Sequence, residues 1–181
     1  RQVGRWIKQY RAAETEKYSE IESLISWLEK NMPEDDGMIS IVHGDYRLYN
    51  MIFSHSENKI LAVLDWELST IGHPFADLAY QCMNWYIPKI GITPGLYGLN
   101  LEGTGIPTEK EYVDSYCKKM GIDHIPNWPF YLAFGFFRLA GIAQGVYKRS
   151  IMGNASAKNA GELGAAVPIL GKIANGIIQT K

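Results

Sequence analysis

Between Ile39 and Tyr80, short apolar runs repeatedly end on an oxygen-bearing side chain, and this pattern constrains the chain more than any other. Residues 39–42 read as a short buried strand that delivers His43, Gly44 and Asp45 into a loop. Residues 51–53 and 59–64 read as two strands joined by the turn-rich Ser54-His55-Ser56-Glu57-Asn58. A hairpin there folds the chain back and returns Asp65 to the neighbourhood of Asn50. A loop carboxylate, a carboxamide and a second carboxylate would then face one small space.

The chemistry of such a space follows from its donors. Mg²⁺ takes hard oxygen ligands, keeps several waters, and is usually shared between one or two carboxylates and substrate phosphates. Asp65 and Asn50 suit that task, which leaves Asp45 to accept a proton from an attacking hydroxyl. The interval Asp45-x-x-x-x-Asn50 is that of the protein-kinase catalytic loop, where the Asp is the base and the Asn holds metal. Arg47 is placed to meet charge on a transferring phosphoryl group. Turn chemistry competes with this reading, because Asp and Asn side chains commonly bond nearby backbone in loops. The interval alone leaves both readings open. The preceding strand, the following hairpin and a second Asp at its far end strengthen the signal, and the pattern by itself still leaves catalysis and loop chemistry both open.

His43-Gly-Asp45-x-x-x-x-Asn50, followed by Leu64-Asp65-Trp66-Glu67, resembles the core of the aminoglycoside phosphotransferase family, small-molecule kinases related to protein kinases. Asp65-Trp66-Glu67 stands where protein kinases carry D-F-G, a departure that this family tolerates. The resemblance implies Asp45 as catalytic base, Asn50 and Asp65 as ligands of metal and nucleotide, and ATP and Mg²⁺ as cofactors. It also implies that Asp77, in a D-L-A element, braces the catalytic loop. His43 is expected to support the site from behind, and Glu67 to orient a water or a nearby arginine. The segments Arg1-Gln2-Val3, Lys8-Gln9-Tyr10, Gly72-His-Pro74 and Ala140-Gly-Ile-Ala-Gln-Gly-Val-Tyr147 are similar to one branch of the family. That branch is the phosphotransferase domain fused to acyl-CoA dehydrogenases in family members ten and eleven. It implies a hydroxyacyl-CoA as acceptor and a fused or associated acyl-CoA dehydrogenase as partner.

The rest of the chain reads as helix. Val3, Trp6, Ile7 and Tyr10 make one apolar face over residues 1–13. Ser19 with Glu22 forms an expected capping box ahead of the stripe Ile21, Leu24, Ile25 and Leu28. Glu34-Asp35-Asp36-Gly37 is an acidic turn. Residues 68–75 read as a loop, with His73 a loop residue beside Pro74, and a helix starts near Phe75 or Asp77. The Pro- and Gly-rich stretch 87–107 reads as a loop with little regular structure. Thr108 with Glu111 marks a second capping box, and Gly121 ends that helix. Residues 127–152 are the most hydrophobic segment, but Arg138 and Gln144 interrupt them too early for a membrane span of roughly twenty apolar residues. Arg138 is expected to find a buried acidic partner in the catalytic segment. One further helix, kinked at Pro168, is expected after Ala155.

Composition bounds the function classes. A chain of 181 residues, 46% hydrophobic and with net charge −1, can bury one core and offers no field for nucleic acid or anionic membrane. Cys82 and Cys117 form no C-x-x-C pair and read as buried small hydrophobes of a reducing compartment. The expected fold class is α+β: a kinase-like fold, with residues 1–181 as one mainly helical C-terminal lobe carrying a small catalytic hairpin. No glycine-rich strand-turn-strand precedes Ile39, so the N-terminal lobe is expected to be missing and the isolated chain inactive. The expected reaction is ATP- and Mg²⁺-dependent transfer to a small-molecule hydroxyl. The rival classes are a non-catalytic kinase-like binding module and a metal-dependent hydrolase. The expected location is cytoplasmic in a bacterium, mitochondrial or peroxisomal in a eukaryote.

Overall fold

The computed structural model describes residues 2–88, 95–153 and 160–180. Among these residues six α-helices and two small ribbons follow in the order α1 (Gln2–Ala13), α2 (Ser19–Lys30), β1 (Ser40–Val42), β2 (Met51–Phe53), β3 (Ile60–Val63), β4 (Thr70–Gly72), α3 (Phe75–Cys82), α4 (Glu109–Met120), α5 (Trp128–Ile151) and α6 (Ala160–Gln179). The long apolar segment forms the single helix α5, and α6, α3, α1 and α2 all pack against it. Leu132, Ala133, Phe136, Phe137 and Ala140 of α5 are essentially closed to solvent, against Tyr10, Leu24, Leu28 and Phe75 from the surrounding helices. Each large apolar side chain buried in this way contributes roughly 1.5–3 kcal/mol, so the core is built around α5. Among the described residues no helix is long and apolar enough to cross a membrane.

The two ribbons are nested. β2 and β3 form the expected hairpin, with Met51 opposite Val63 and Ile52 opposite Ala62. β1 pairs antiparallel with β4, Ser40 opposite Gly72 and Val42 opposite Thr70. Residues 43–69 therefore leave and re-enter the fold at one end of the β1–β4 ribbon, with the hairpin as the middle of that excursion. The expected loop over 68–75 is corrected here, since Thr70–Gly72 is a strand. A three-residue strand beside Gly72 and Pro74 carries little pattern of its own, and only pairing with β1 makes it one. The expected burial of the first strand is also corrected: Ile41 is 67% exposed and only Val42 faces the core. A two-stranded ribbon can turn one side to the helices and leaves the other open.

Two further expectations change. α2 is preceded by Tyr18 at its N-cap with no side-chain cap, because the Ser19 hydroxyl bonds Glu20 while Glu22 is held by the Arg11 guanidinium through both oxygens. The ion pair to α1 thus replaces the capping box. In α4 the capping box forms as expected, with the Glu111 N–H donating to the Thr108 hydroxyl at 3.2 Å and the Thr108 N–H to the Glu111 carboxylate at 2.8 Å. Gly121 closes α4 in the left-handed region, at φ 68°. Of the 87–107 stretch, residues 89–94 lie outside the described residues, as do residues 154–159 before α6. Pro168 lies inside α6.

Candidate active site

The His43-Gly44-Asp45 turn is pinned from several directions. Asp77, in the first turn of α3, accepts the His43 N–H at 2.6 Å and the Gly44 N–H at 2.9 Å, one carboxylate oxygen for each. The Asp45 N–H donates to His43 Nδ1 at 3.2 Å, so the ring proton sits on Nε2 and donates to the Leu64 carbonyl at 2.8 Å. His43 is 1% exposed, and its ring lies 4.6 Å from that of Trp66. It therefore joins the loop bearing Asp45 to the residue just before Asp65. Gly44 turns through φ 85° and passes so close to β4's approach that a Cβ there would lie 2.6 Å from the Leu68 carbonyl oxygen. Only glycine fits that position without a backbone shift.

Asp45 and Asn50 are both buried and in direct contact. The Asn50 Nδ2 donates to the Asp45 Oδ2 and to the Asp45 carbonyl, each at 2.9 Å. Both amide donors are thereby turned inward, and Asn50 Oδ1 is left as the acceptor available to an outside ligand. The Leu64 N–H donates to the Asn50 carbonyl at 2.8 Å, so the hairpin does bring the chain back beside Asn50. Asp65 follows in the left-handed region at φ 64°, is exposed, and opens the 3-10 turn Trp66–Leu68 without capping it. A non-glycine residue held there is uncommon, and such conformations cluster at functional sites.

Arg47 does not reach outward. Its Nη2 lies 2.9 Å from the Asp45 Oδ2, and its side chain is 42% exposed. Glu67 is exposed and takes part in none of the ion pairs among the described residues. Asp36 of the acidic turn pairs with His73 at 3.2 Å, and Met38 N–H and then His73 hold its carboxyl below the usual carboxylate range.

Three features were missed in the sequence. The Tyr80 phenol is buried beside Asp45, and burial first, then the Asp45 charge, push it well above its ordinary value. Its signal was the i, i+3 spacing from Asp77, which puts both on one face of α3. The β1–β4 pairing is the second. The third is the partner of Arg138: not a carboxylate, as expected, but the Gly44 carbonyl, to which Nη2 donates at 2.7 Å. A carbonyl needs no titratable residue in the sequence, so nothing there could point to it.

A cavity of about 630 Å³ opens between α1, residues 32–42, β4 and the start of α5. It reaches Glu67 and Arg138, but Asp45, Asn50 and Asp65 do not line it. The expected site residues therefore sit outside this cavity, on the rim formed by the loop and hairpin. Among the described residues no cage of three or more His, Cys, Asp and Glu is gathered. The rim offers hard oxygens: an exposed carboxylate at Asp65 and a free carboxamide oxygen at Asn50. Such a donor set fits a Mg²⁺ shared with phosphate.

Residues 1–105 match the phosphotransferase enzyme family. The chain is 49% identical over 175 residues to acyl-CoA dehydrogenase family member 10 of Mus musculus, covering 96% of this chain and 16% of that protein. It is 45% identical over 162 residues to acyl-CoA dehydrogenase family member 11 of Homo sapiens, covering 88% of this chain and 20% of that protein. A solved structure from Ralstonia eutropha, provisionally assigned as an aminoglycoside phosphotransferase, matches with TM-score 0.91 at 43% identity, over 98% of this chain and 54% of that one. The chain thus spans about a fifth of these curated relatives and about half of the solved neighbour. Its mainly helical architecture with a small hairpin is the kinase-like fold of that neighbour, and the chain belongs to the phosphotransferase enzyme family.

Proposed function

We propose that these residues form the catalytic side of an ATP- and Mg²⁺-dependent kinase that phosphorylates a hydroxyl of a small molecule. The reading is carried by the Asn50–Asp45 contact: one carboxamide fixes the carboxylate through Nδ2 and turns Oδ1 outward. In this reading Asp45 accepts the proton of the acceptor hydroxyl as its oxygen bonds the γ-phosphorus, and the bond from that phosphorus to the nucleotide's bridging oxygen breaks. Asn50 Oδ1 and the Asp65 carboxylate would hold Mg²⁺, which when bound offsets phosphate charge. His43 keeps the two loops in register, Asp77 fixes the turn before Asp45, and Arg47 meets charge on the transferring group once drawn from Asp45. Relatives named as acyl-CoA dehydrogenase family members make a hydroxyacyl-CoA the first acceptor to test, with a fused acyl-CoA dehydrogenase as neighbour.

The test uses the intact natural protein with Mg·ATP and a panel of hydroxyacyl-CoAs, aminoglycosides and choline-like alcohols, with mass spectrometry of the products. The expected result is ADP together with one phosphorylated acceptor. Asp45→Asn should abolish transfer while Mg·ATP still binds, and Asp65→Ala should weaken that binding as well. Near-normal turnover by Asp45→Asn removes it as base. Unchanged nucleotide affinity in Asp65→Ala removes that residue as metal ligand.

A further inference from the structure

Arg138 is a cation on the central buried helix α5, only 5% exposed, and among the described residues it has no carboxylate partner. Its guanidinium carbon sits over three aromatic rings, 5.1 Å from the Trp6 centroid, 5.8 Å from Tyr80 and 6.0 Å from Phe134. Burying a charge is costly unless it is compensated, and burial does pull this guanidinium below its ordinary value, with Tyr80, Asp77 and Asp45 opposing that pull. Arginine nonetheless stays charged in proteins. Among the described residues one direct hydrogen bond is made, from Nη2 to the Gly44 carbonyl, while Nε has none. A leucine or methionine would fill this space at less cost, so the packing of α5 does not account for a cation here.

The position of that bond does. The peptide linking Gly44 to Asp45 is held at both ends: its carbonyl by Arg138 and its N–H by His43 Nδ1. The two preceding N–H groups are held by Asp77. We infer that Arg138 is a positioning residue for phosphoryl transfer, locking the Gly44–Asp45 peptide so that the Asp45 carboxylate is presented in one orientation. The inference rests on the reading of Asp45 as base. Trp6, Tyr80 and Phe134 set the guanidinium's place, and through Trp6 the helix α1 is tied to the catalytic turn. Without Arg138 the carbonyl loses its partner and the peptide can rotate about the left-handed Gly44, the most permissive residue in the turn.

The test uses the intact protein with Arg138→Lys and Arg138→Ala, at a temperature where thermal melting shows each to be folded. The expected result for Arg138→Ala is a roughly 10- to 100-fold lower kcat with KM for Mg·ATP within about twofold. Amide exchange across residues 43–46 should accelerate in the same variant. Arg138→Lys should recover part of kcat, because an ammonium keeps the charge but not the planar fork. Since the cavity beside α1 reaches Arg138, millimolar methylguanidinium should raise kcat of Arg138→Ala saturably. Should that variant not fold, Trp6→Leu decides on the same two readouts, with a roughly three- to fivefold lower kcat and faster exchange expected. A lowered melting temperature with kcat and exchange at 43–46 unchanged overturns the inference and leaves Arg138 structural. Exchange reports on the turn whatever the role of Asp45, whereas Asp45→Asn tests the base alone, so the two failures are distinguishable.

Discussion

The carboxamide of Asn50 and the carboxylate of Asp45 lie 2.9 Å apart, with the amide donating to both the side chain and the backbone of the same residue. That double contact makes Asn50 more than a ligand. Asn50→Ala should lower kcat as well as weaken Mg²⁺ dependence, since it frees Asp45 and removes an oxygen donor together. Asn50→Asp should be worse for kcat despite its better charge for metal, because it sets a second carboxylate against a buried one. Turnover measured across a Mg²⁺ titration checks this. Recovery of Asn50→Asp to wild-type kcat at saturating Mg²⁺ would assign Asn50 to the metal alone.

Arg47 sits beside Asp45 at 2.9 Å, its own side chain half-exposed. Only the Arg47 end of the pair is open to water, and the buried Asp45 carboxylate keeps the Asn50 amide as partner when Arg47 is removed, so the loss in stability is set on the order of 0–1 kcal/mol. The expectation is therefore that Arg47→Ala hardly moves the melting temperature. It should lower kcat far more than it raises KM for the nucleotide, as loss of a group acting on the transition state does. The opposite pattern, an intact kcat with a lower melting temperature, confines Arg47 to the ion pair.

Much of this geometry was legible because local spacing carried it. Asp45, Asn50 and Asp65 fall at strand ends, and the hairpin between them needs only the turn residues 54–58 and two short apolar runs. The place of Asp77 in the first turn of α3 suited any helix N-terminus, and its brace on the catalytic loop was implied by the family resemblance alone. What escaped was set by partners distant in sequence. β4 exists because Thr70 and Gly72 meet Val42 and Ser40, and three residues cannot announce such a pairing. Ser19 and Glu22 had the spacing of a capping box, but an arginine from the preceding helix took the glutamate. Arg138 was visible as an anomaly in an apolar helix, whereas its partner, a backbone carbonyl, has no sequence signature.

The two cysteines offer a simple check on the core. Cys82, the last residue of α3, is closed to solvent, and burial pushes its thiol well up; Cys117 on α4 is nearly as enclosed, and burial raises it too. Alkylation follows the exposed thiolate. Iodoacetamide at neutral pH should therefore label neither residue in the native protein and both in denaturant. Rapid native labelling of Cys82 would mean that α3, and with it the Asp77 brace, opens readily.

Gly44 is where the backbone leaves least freedom, and Gly44→Ala is the severest single change expected at this site. Two independent costs act there. A φ of 85° is in the left-handed region, which costs an L-residue with a Cβ roughly 1–2 kcal/mol. The added carbon would also lie 2.6 Å from the Leu68 carbonyl oxygen, a backbone atom that cannot rotate away as a side-chain tip would. Relief requires either the turn or the 3-10 segment to move, and both are tethered. Asp77 holds the turn through two N–H groups, and His43 links it to Leu64. The two charge-assisted bonds to Asp77 contribute about 1.5–3 kcal/mol each, so the shift that avoids the clash gives up bonds of similar worth. Gly44→Ala should accordingly lose more than about 2 kcal/mol by urea unfolding. Its kcat should fall further than that of Asp77→Asn, which turns an amide donor toward one of the two N–H groups but adds no clash with the backbone. A Gly44→Ala protein with wild-type stability and turnover would show that the turn relaxes freely, and that its rigidity plays no part in presenting Asp45.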